Sequence, residues 1–285
     1  MTRLAWVTGV GFAAADADLP LLTTAADRAG LASEIVVWDD PDVDWASFDL
    51  VVVRSCWDYV PRRDEFLAWA DAVPRLANPA GVLRWNTDKT YLRELEAAGV
   101  AIVPTAWSVE HAEDLPSAAE WVVKPTISAG SADTARWSDP ERALEHGRSL
   151  LAAGRPTMTQ PYVDAVDSEG ETGLLLFGGR FSHAFRKGAL LTTGDDPREL
   201  PELKEDIRAR EPSAEQIAFA ERTVTVAAEI LGSEPLYARV DVVTDADGSL
   251  RLMELELAEP SFFLDHTDVG ADRLIQAALD LFRRP

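Results

Sequence analysis

Three carboxylates and an arginine near the end of the chain have the spacing of a small reactive cluster. Asp247-Gly248 is a two-residue turn signal between two strand-like runs, Tyr237–Thr244 and Ser249–Leu257. Folded about that turn, Asp241 stands opposite Glu254 and Arg239 opposite Glu256. Side chains two apart on a strand share a face, so all four lie on one side. Like charges facing each other in a sheet cost roughly 0.2–1 kcal/mol, and more where neighbours are apolar. Leu236, Val240, Val242, Val243, Leu252 and Leu255 are such neighbours. A hard divalent cation offsets that repulsion, and magnesium binds through one or two carboxylates together with substrate phosphates. A solvated hairpin edge with an ordinary Arg239–Glu256 ion pair is the competing reading, and the spacing alone leaves both open.

Basic residues that could meet phosphates are spread along the chain. Lys124 ends the apolar run Trp121–Val123 and precedes a loop of small residues, 126–132, in which Gly130 is the one glycine. A lysine beside exposed backbone N–H groups suits a phosphate, although a surface lysine before a turn reads the same way. The loop matches no Walker A pattern. Lys89 falls in the first turn of an expected helix, where a cation opposes the helix dipole unless an anion is held nearby. A hairpin about Gly178-Gly179 places Arg186 opposite Glu171, with Lys187 next to it. Arg54 ends an apolar run and could clamp a carboxylate bidentately, or simply sit on the surface. His183 lies inside a strand without a second histidine, and His266 lacks zinc-type spacing. Cys56 has no histidine near it in sequence, so no thiol nucleophile is expected.

The elements that must carry these residues begin with an alternation of strand and helix over residues 1–85. Leu4–Val7, Glu34–Trp38 and Phe48–Val53 read as strands, and Leu19–Arg28 and Arg62–Ala72 as helices. That alternation implies a parallel sheet, whose ligands sit at the carboxyl ends of its strands. Here those ends carry Thr8–Phe12 and Arg54–Asp58. Asp88–Ala98 and a helix opened by Asp139-Pro140 follow. Gly173–Phe177 and Arg180–Phe185 pair as a hairpin. Residues 188–210 are polar, with Pro197 and Pro201, and read as a mobile loop or lid. Ser213 with Gln216 is a capping box for a helix to Leu231, and a last helix covers Ala271–Phe282.

The 285 residues suffice for about two domains or three small ones. The net charge of −22, from 49 acidic and 27 basic residues, speaks against nucleic acid and against an anionic membrane as partners. A single cysteine allows no internal disulfide, which suits a reducing, cytoplasmic setting. No apolar run approaches the ~20 residues of a membrane span. Leu4–Ala15 is short and apolar enough to pass for a secretory leader, but Leu4–Val10 reads equally as a first buried strand.

In order and spacing the chain resembles the ATP-grasp family, near the glutathione synthetase and RimK-like ligases. The strings Val52-Val-Arg-Ser-Cys-Trp-Asp-Tyr59, Arg84-Trp-Asn-Thr-Asp-Lys89, Gly178-Gly-Arg-Phe-Ser-His183 and Glu254-Leu-Glu-Leu-Ala-Glu-Pro-Ser261 carry the resemblance. It implies an α/β and α+β fold: a small parallel-sheet domain over 1–85, then ATP-grasp subdomains over 86–159 and 160–285. It implies ATP and two Mg²⁺. Lys89 and Lys124 would hold phosphates, and the loop with Ser128, Gly130 and Ser131 would close over them. Gln160, Tyr162 and Val163 would form the adenine hinge, and Glu169 or Glu171 would hold the ribose. Asp241, Glu254 and Glu256 would bind the metals, with Glu256 standing where asparagine is usual. Arg186, Lys187 and Arg239 would face the transferred phosphoryl group. Arg54, Trp57, Asp58 and Ser261 would read a small carboxylate and amine substrate. Relatives of this kind are often dimers or tetramers, so a homo-oligomer is an option. Two other functions compete. One is a nucleotide sensor of the same fold without turnover. The other is a nicotinamide oxidoreductase, disfavoured because Gly9-Val-Gly11 is only a fragment of the required glycine motif.

Overall fold

The structure is a computed structural model and describes residues 2–197 and 205–283. β1 (Arg3–Thr8), β2 (Ala32–Val37) and β3 (Leu50–Val53) form a parallel sheet with β1 in the middle. Alternate residues of β1 and β3 divide its two faces. Leu4, Trp6, Leu50 and Val52 pack on α1 (Asp18–Arg28), and Ala5, Val7, Val51 and Val53 pack on α2 (Arg63–Ala72). The leader-like stretch therefore begins with the central strand.

Two short helices follow, α3 (Ala80–Asn86) and α4 (Tyr91–Ala97). The sequence predicts one helix over Asp88–Ala98; in the structure the helix starts at Tyr91 and Lys89 lies in the turn between α3 and α4. The second sheet contains β4 (Ala106–Trp107), β5 (Trp121–Pro125), β6 (Ala135–Trp137) and, after α5 (Pro140–Ala152), β7 (Thr157–Pro161), in the order β4-β7-β5-β6. Asp139 caps α5 as expected, accepting the N–H of Glu141, with Pro140 at the first turn.

After α6 (Ala165–Glu169) comes the hairpin β8 (Glu171–Phe177) and β9 (Arg180–Lys187), then β10 (Ile207–Ala209), α7 (Ala214–Leu231), β11 (Tyr237–Thr244), β12 (Leu250–Glu256) and α8 (Gly270–Arg283). The third sheet runs β10-β9-β8-β11-β12. One face is apolar: Leu174, Val240, Val242, Leu252 and Leu255 pack on α4 and α7. Ser213 and Gln216 form the expected capping box of α7. Part of the stretch read as a lid, residues 198–204, lies outside the described residues; Ile207–Ala209 adds an edge strand to β9. Among the described residues no helix is long and apolar enough to cross a membrane.

Candidate active site

The opposite face of the third sheet carries the acids. Arg239 pairs with Glu256 and Asp241 with Glu254, the register read from the sequence. The route to it differs. The turn holds one residue more than expected, since Asp245 donates its N–H to the carbonyl of Ser249. A bulge then sets Val242 opposite Leu252 but Asp241 opposite Glu254, leaving Met253 as an extra residue of β12. The two differences cancel at the acids.

The four charges do not form a metal cage. Arg239 donates to both oxygens of Asp241, at 2.8 to 3.2 Å, and also to Glu256. Lys89 Nζ stands 3.2 Å from Glu254. Among the described residues no three His, Cys, Asp or Glu side chains converge on a metal position. Asp241 is 4% exposed and bound to Arg239, whereas Glu254 and Glu256 each keep 25% of their side chains open. Of the three expected ligands, Asp241 is withdrawn, and Glu254 and Glu256 are partly open although Lys89 and Arg239 reach them. Two carboxylates fit magnesium, which completes its sphere with waters and phosphates.

Lysines face these acids from the second sheet and from the turn before α4. Lys89 Nζ donates to the carbonyl of Ser128 at 2.8 Å, which fixes the small-residue loop to the cleft. Gly130, Ser131 and Asp133 all adopt positive φ, so this loop is tightly folded. Lys124, at the end of β5, is buried. Burial lowers its pKa; the charges acting on it are Glu254, Lys89, Glu171 and Lys187, three from the third sheet and one from the turn before α4. Burial alone would raise the pKa of Glu254, but Lys89, Lys124 and Arg239 pull it well below the usual carboxylate range. Burial raises that of Glu256, with Arg239 opposing and Glu254 and Asp241 reinforcing the rise.

The β8–β9 hairpin corrects one prediction. A bulge between Leu175 and Leu176 moves Lys187, not Arg186, opposite Glu171. Lys187 and Glu171 therefore share the acidic face. Burial opposes the charge of Lys187, yet Glu171 and Glu205 hold its pKa above the ordinary value. Burial pushes the carboxyl of Glu171 up, against Lys187. Arg186 points to the other face and binds the carbonyl of Glu169 and the carboxylate of Asp206. Its expected role at the phosphoryl group is not supported by this placement. Glu169 itself is exposed at the end of α6, outside the charge cluster.

Gln160 is buried in β7 and donates to Thr105. Tyr162 and Val163 continue the chain towards α6 and pack with Val103, Val166, Val243 and Met253. The sequence points to Tyr162 and Val163 but not to Val103, Val166 or Met253; only the bulge at Met253 turns that side chain towards the group. Arg136 lies over the ring of Tyr162 at 3.3 Å and binds Glu120 and Asp167, so the segment after β7 is clamped by a charged hub.

Two residues expected to read substrate are structural instead. Arg54 has no exposed side-chain surface. It donates to Asp18 at 2.9 Å and to the carbonyl of Pro260 at 2.9 Å, and lies 3.7 Å over the ring of Phe262. Asp58 accepts from Trp38 and pairs with Arg62. Trp57 and Ser261 do line a cavity of about 400 Å³ beside the cleft. The carbonyl of Ser261 accepts from Arg239 at 3.5 Å. Gly173, paired with Asp241, has no side chain because the ring of Phe185 covers it, and that ring lies beneath Arg239. Cys56 is buried and its pKa is raised by that burial, which leaves it inert.

A family model for the N-terminal domain of D-cycloserine synthetase DcsG matches residues 4–78. The cycloserine biosynthesis protein DcsG of Streptomyces lavendulae is 40% identical over 97% of this chain and 98% of its own length. The chain belongs to the D-cycloserine synthetase family. A crystal structure of D-cycloserine synthetase DcsG superposes with a TM-score of 0.89 at 37% identity, covering 98% of this chain and 99% of that one. The RimK domain ATP-grasp protein of Sphaerobacter thermophilus shares the fold at 16% identity and a TM-score of 0.67, over 98% of this chain and 100% of its own. The chain is thus an ATP-dependent ligase of the ATP-grasp fold, with a small parallel-sheet domain in front.

Proposed function

We propose that this ligase activates the carboxylate of a small amino-acid-like substrate as an acyl phosphate and joins it to an amine of the same molecule. The carrying observation is the meeting of Lys89 and Lys124, from separate elements, with Glu254 in one buried cleft. Buried cations facing open carboxylates suit the polyphosphate of a nucleotide with its metal. Tyr162, Val163, Val243 and Met253 would form the adenine slot. Glu254 and Glu256 would hold Mg²⁺, which when bound neutralises phosphate charge. Arg239 binds both Glu256 and Asp241, so Glu256 would offer the metal its oxygen not held by Arg239, and Asp241 would join only if Arg239 released it.

The chain's own groups then do the following. Lys89 and Lys124 fix the phosphates, and Arg239 and Lys187 stabilise charge developing on the transferred phosphoryl group. A carboxylate oxygen of the substrate attacks the γ-phosphorus, the bond to the bridging oxygen breaks, and ADP leaves. The amine nitrogen attacks the acyl carbon, phosphate departs, and the surplus proton passes to solvent. The name of the relatives supports ring closure, since D-cycloserine is a cyclic amide-type product. Enclosure by the loop that holds Ser128 would keep water from the acyl phosphate.

The test is ADP release in the presence of Mg²⁺ and a panel of amino acids and their ureido analogues, O-ureido-serine among the first. Turnover should require both the metal and an acid. Lys124→Met and Glu254→Gln should each reduce it by about 10²-fold or more. Hydroxylamine should intercept the acyl phosphate as a hydroxamate. Nucleotide binding with no acid-stimulated ADP release would favour the sensor reading instead.

A further inference from the structure

The cavity beside the cleft lies between the turn before α1, the loop after β3, β10 and the loop that follows β12. Four carboxylates line it, Asp16, Asp18, Glu205 and Asp265, and no lysine or arginine does so among the described residues. Trp57 and Phe263 supply apolar walls. Asp18 is occupied: it accepts from Arg54, Phe262 and Leu264. Glu205 is turned to Lys187 at 3.1 Å. Asp265 is exposed, with His266, the other titratable lining group, at 3.7 Å.

Asp16 is different. It is 4% exposed, and one oxygen accepts the N–H of Asp18 at 3.0 Å. The other, Oδ2, is buried with no hydrogen bond among the described residues. The nearest cation, Arg54, is 3.6 Å away and already donates to Asp18. A buried charged oxygen without a donor is unfavourable, so a ligand that brings one is favoured.

The cavity also touches the reaction cleft. Ser261 belongs to both, and Phe263 packs on Phe185, the ring under Arg239. A molecule whose carboxyl lies at Arg239 would extend into a negative, aromatic-walled space.

We infer that this cavity reads the ammonium group of an amino-acid substrate, with Asp16 Oδ2 as its buried acceptor and Asp265 at the rim. The inference rests on the ligase reading and names the part of the substrate that carboxylate chemistry leaves undefined. An acid without an amine loses the charge-assisted bond, and an anionic group there faces the four carboxylates of the lining.

D-cycloserine carries a primary amine, and isoxazolidin-3-one is the same ring without it. Calorimetry of both in slightly acid buffer, with Mg-ADP present, tests the assignment. The wild type should prefer D-cycloserine by about tenfold or more. Asp16→Asn keeps the acceptor for Asp18 N–H and should erase that preference while leaving affinity for the amine-free ring unchanged. Should Asp16→Asn misfold, exposed Asp265→Asn carries the test, with an expected reduction of the preference by about threefold. Absent binding of D-cycloserine, equal binding of the two rings, or equal losses for both in the variants overturns the ammonium site. Mg-ADP binding is measured in the same titrations: if it persists, the ligase reading survives that result, and if it is absent, the ligase reading itself fails.

Discussion

Arg54 illustrates how burial decides a role. Its guanidinium holds Asp18, the carbonyl of Pro260 and the face of Phe262, all without solvent. Removing one partner of a buried pair leaves the other charge uncompensated. Arg54→Met should lower stability by about 3 kcal/mol in urea unfolding. A substrate clamp would show the opposite pattern, a raised KM with stability unchanged. From sequence, an arginine at a strand end allows both roles; the deciding partners lie 36 and 206 residues away. Glu259 makes a second prediction. Burial raises its pKa to about 7, with the Tyr59 hydroxyl and Lys89 opposing the rise. The folded chain therefore holds this proton where the unfolded chain, near the ordinary value of 4.5, has released it. The stability tied to that proton is present below the unfolded value and is lost as pH rises through about 7. Glu259→Gln should flatten that fall, gaining about 1–2 kcal/mol over wild type at pH 8 and little at pH 4. Thermal unfolding at the two pH values checks it.

Among the elements, the two hairpins show what spacing rules can and cannot reach. Period-two alternation and the glycine turns located β8, β9, β11 and β12 because turn chemistry and burial both act locally. Bulges are set by packing across the sheet, so they left no signal. In β11–β12 the extra turn residue and the extra strand residue compensate, and the facing of Asp241 and Glu254 was legible despite both. In β8–β9 nothing compensates, and Arg186 exchanged faces with Lys187. The lysines fell between: Lys124 was visible as the end of an apolar run, but the joining of Lys89 to Ser128 depends on a turn between α3 and α4 that the sequence suggested as helix. The β12 bulge also aims Met253 at the cluster of Tyr162 and Val163, the proposed adenine slot. Met253→Ala should raise the KM for ATP by about fivefold through lost apolar contact, with the KM for the acid nearly unchanged. Initial-rate kinetics with each substrate varied in turn separates the two.

At the level of the whole molecule, the cleft depends on how the second and third sheets are held. Arg136, from β6, binds Glu120 beside β5 and Asp167 of α6, while Thr193 donates to Glu120 and Gly194 to the carbonyl of Arg136. A network of this kind loses more than one bond when its centre is removed. Arg136→Met should raise the KM for ATP by about tenfold and lower kcat less, and nucleotide dissociation measured by stopped flow should quicken by a similar factor.

The contact of Asp18 with Arg54, Phe262 and Leu264 reaches further than local stability. The beginning of the chain and the segment after its last strand share one carboxylate, 244 and 246 residues from the two N–H groups it accepts. Exchange of the first 85 residues between relatives would thus leave these amides facing a foreign surface. Functional chimeras in this family should need both ends from the same parent, inherited as a matched pair.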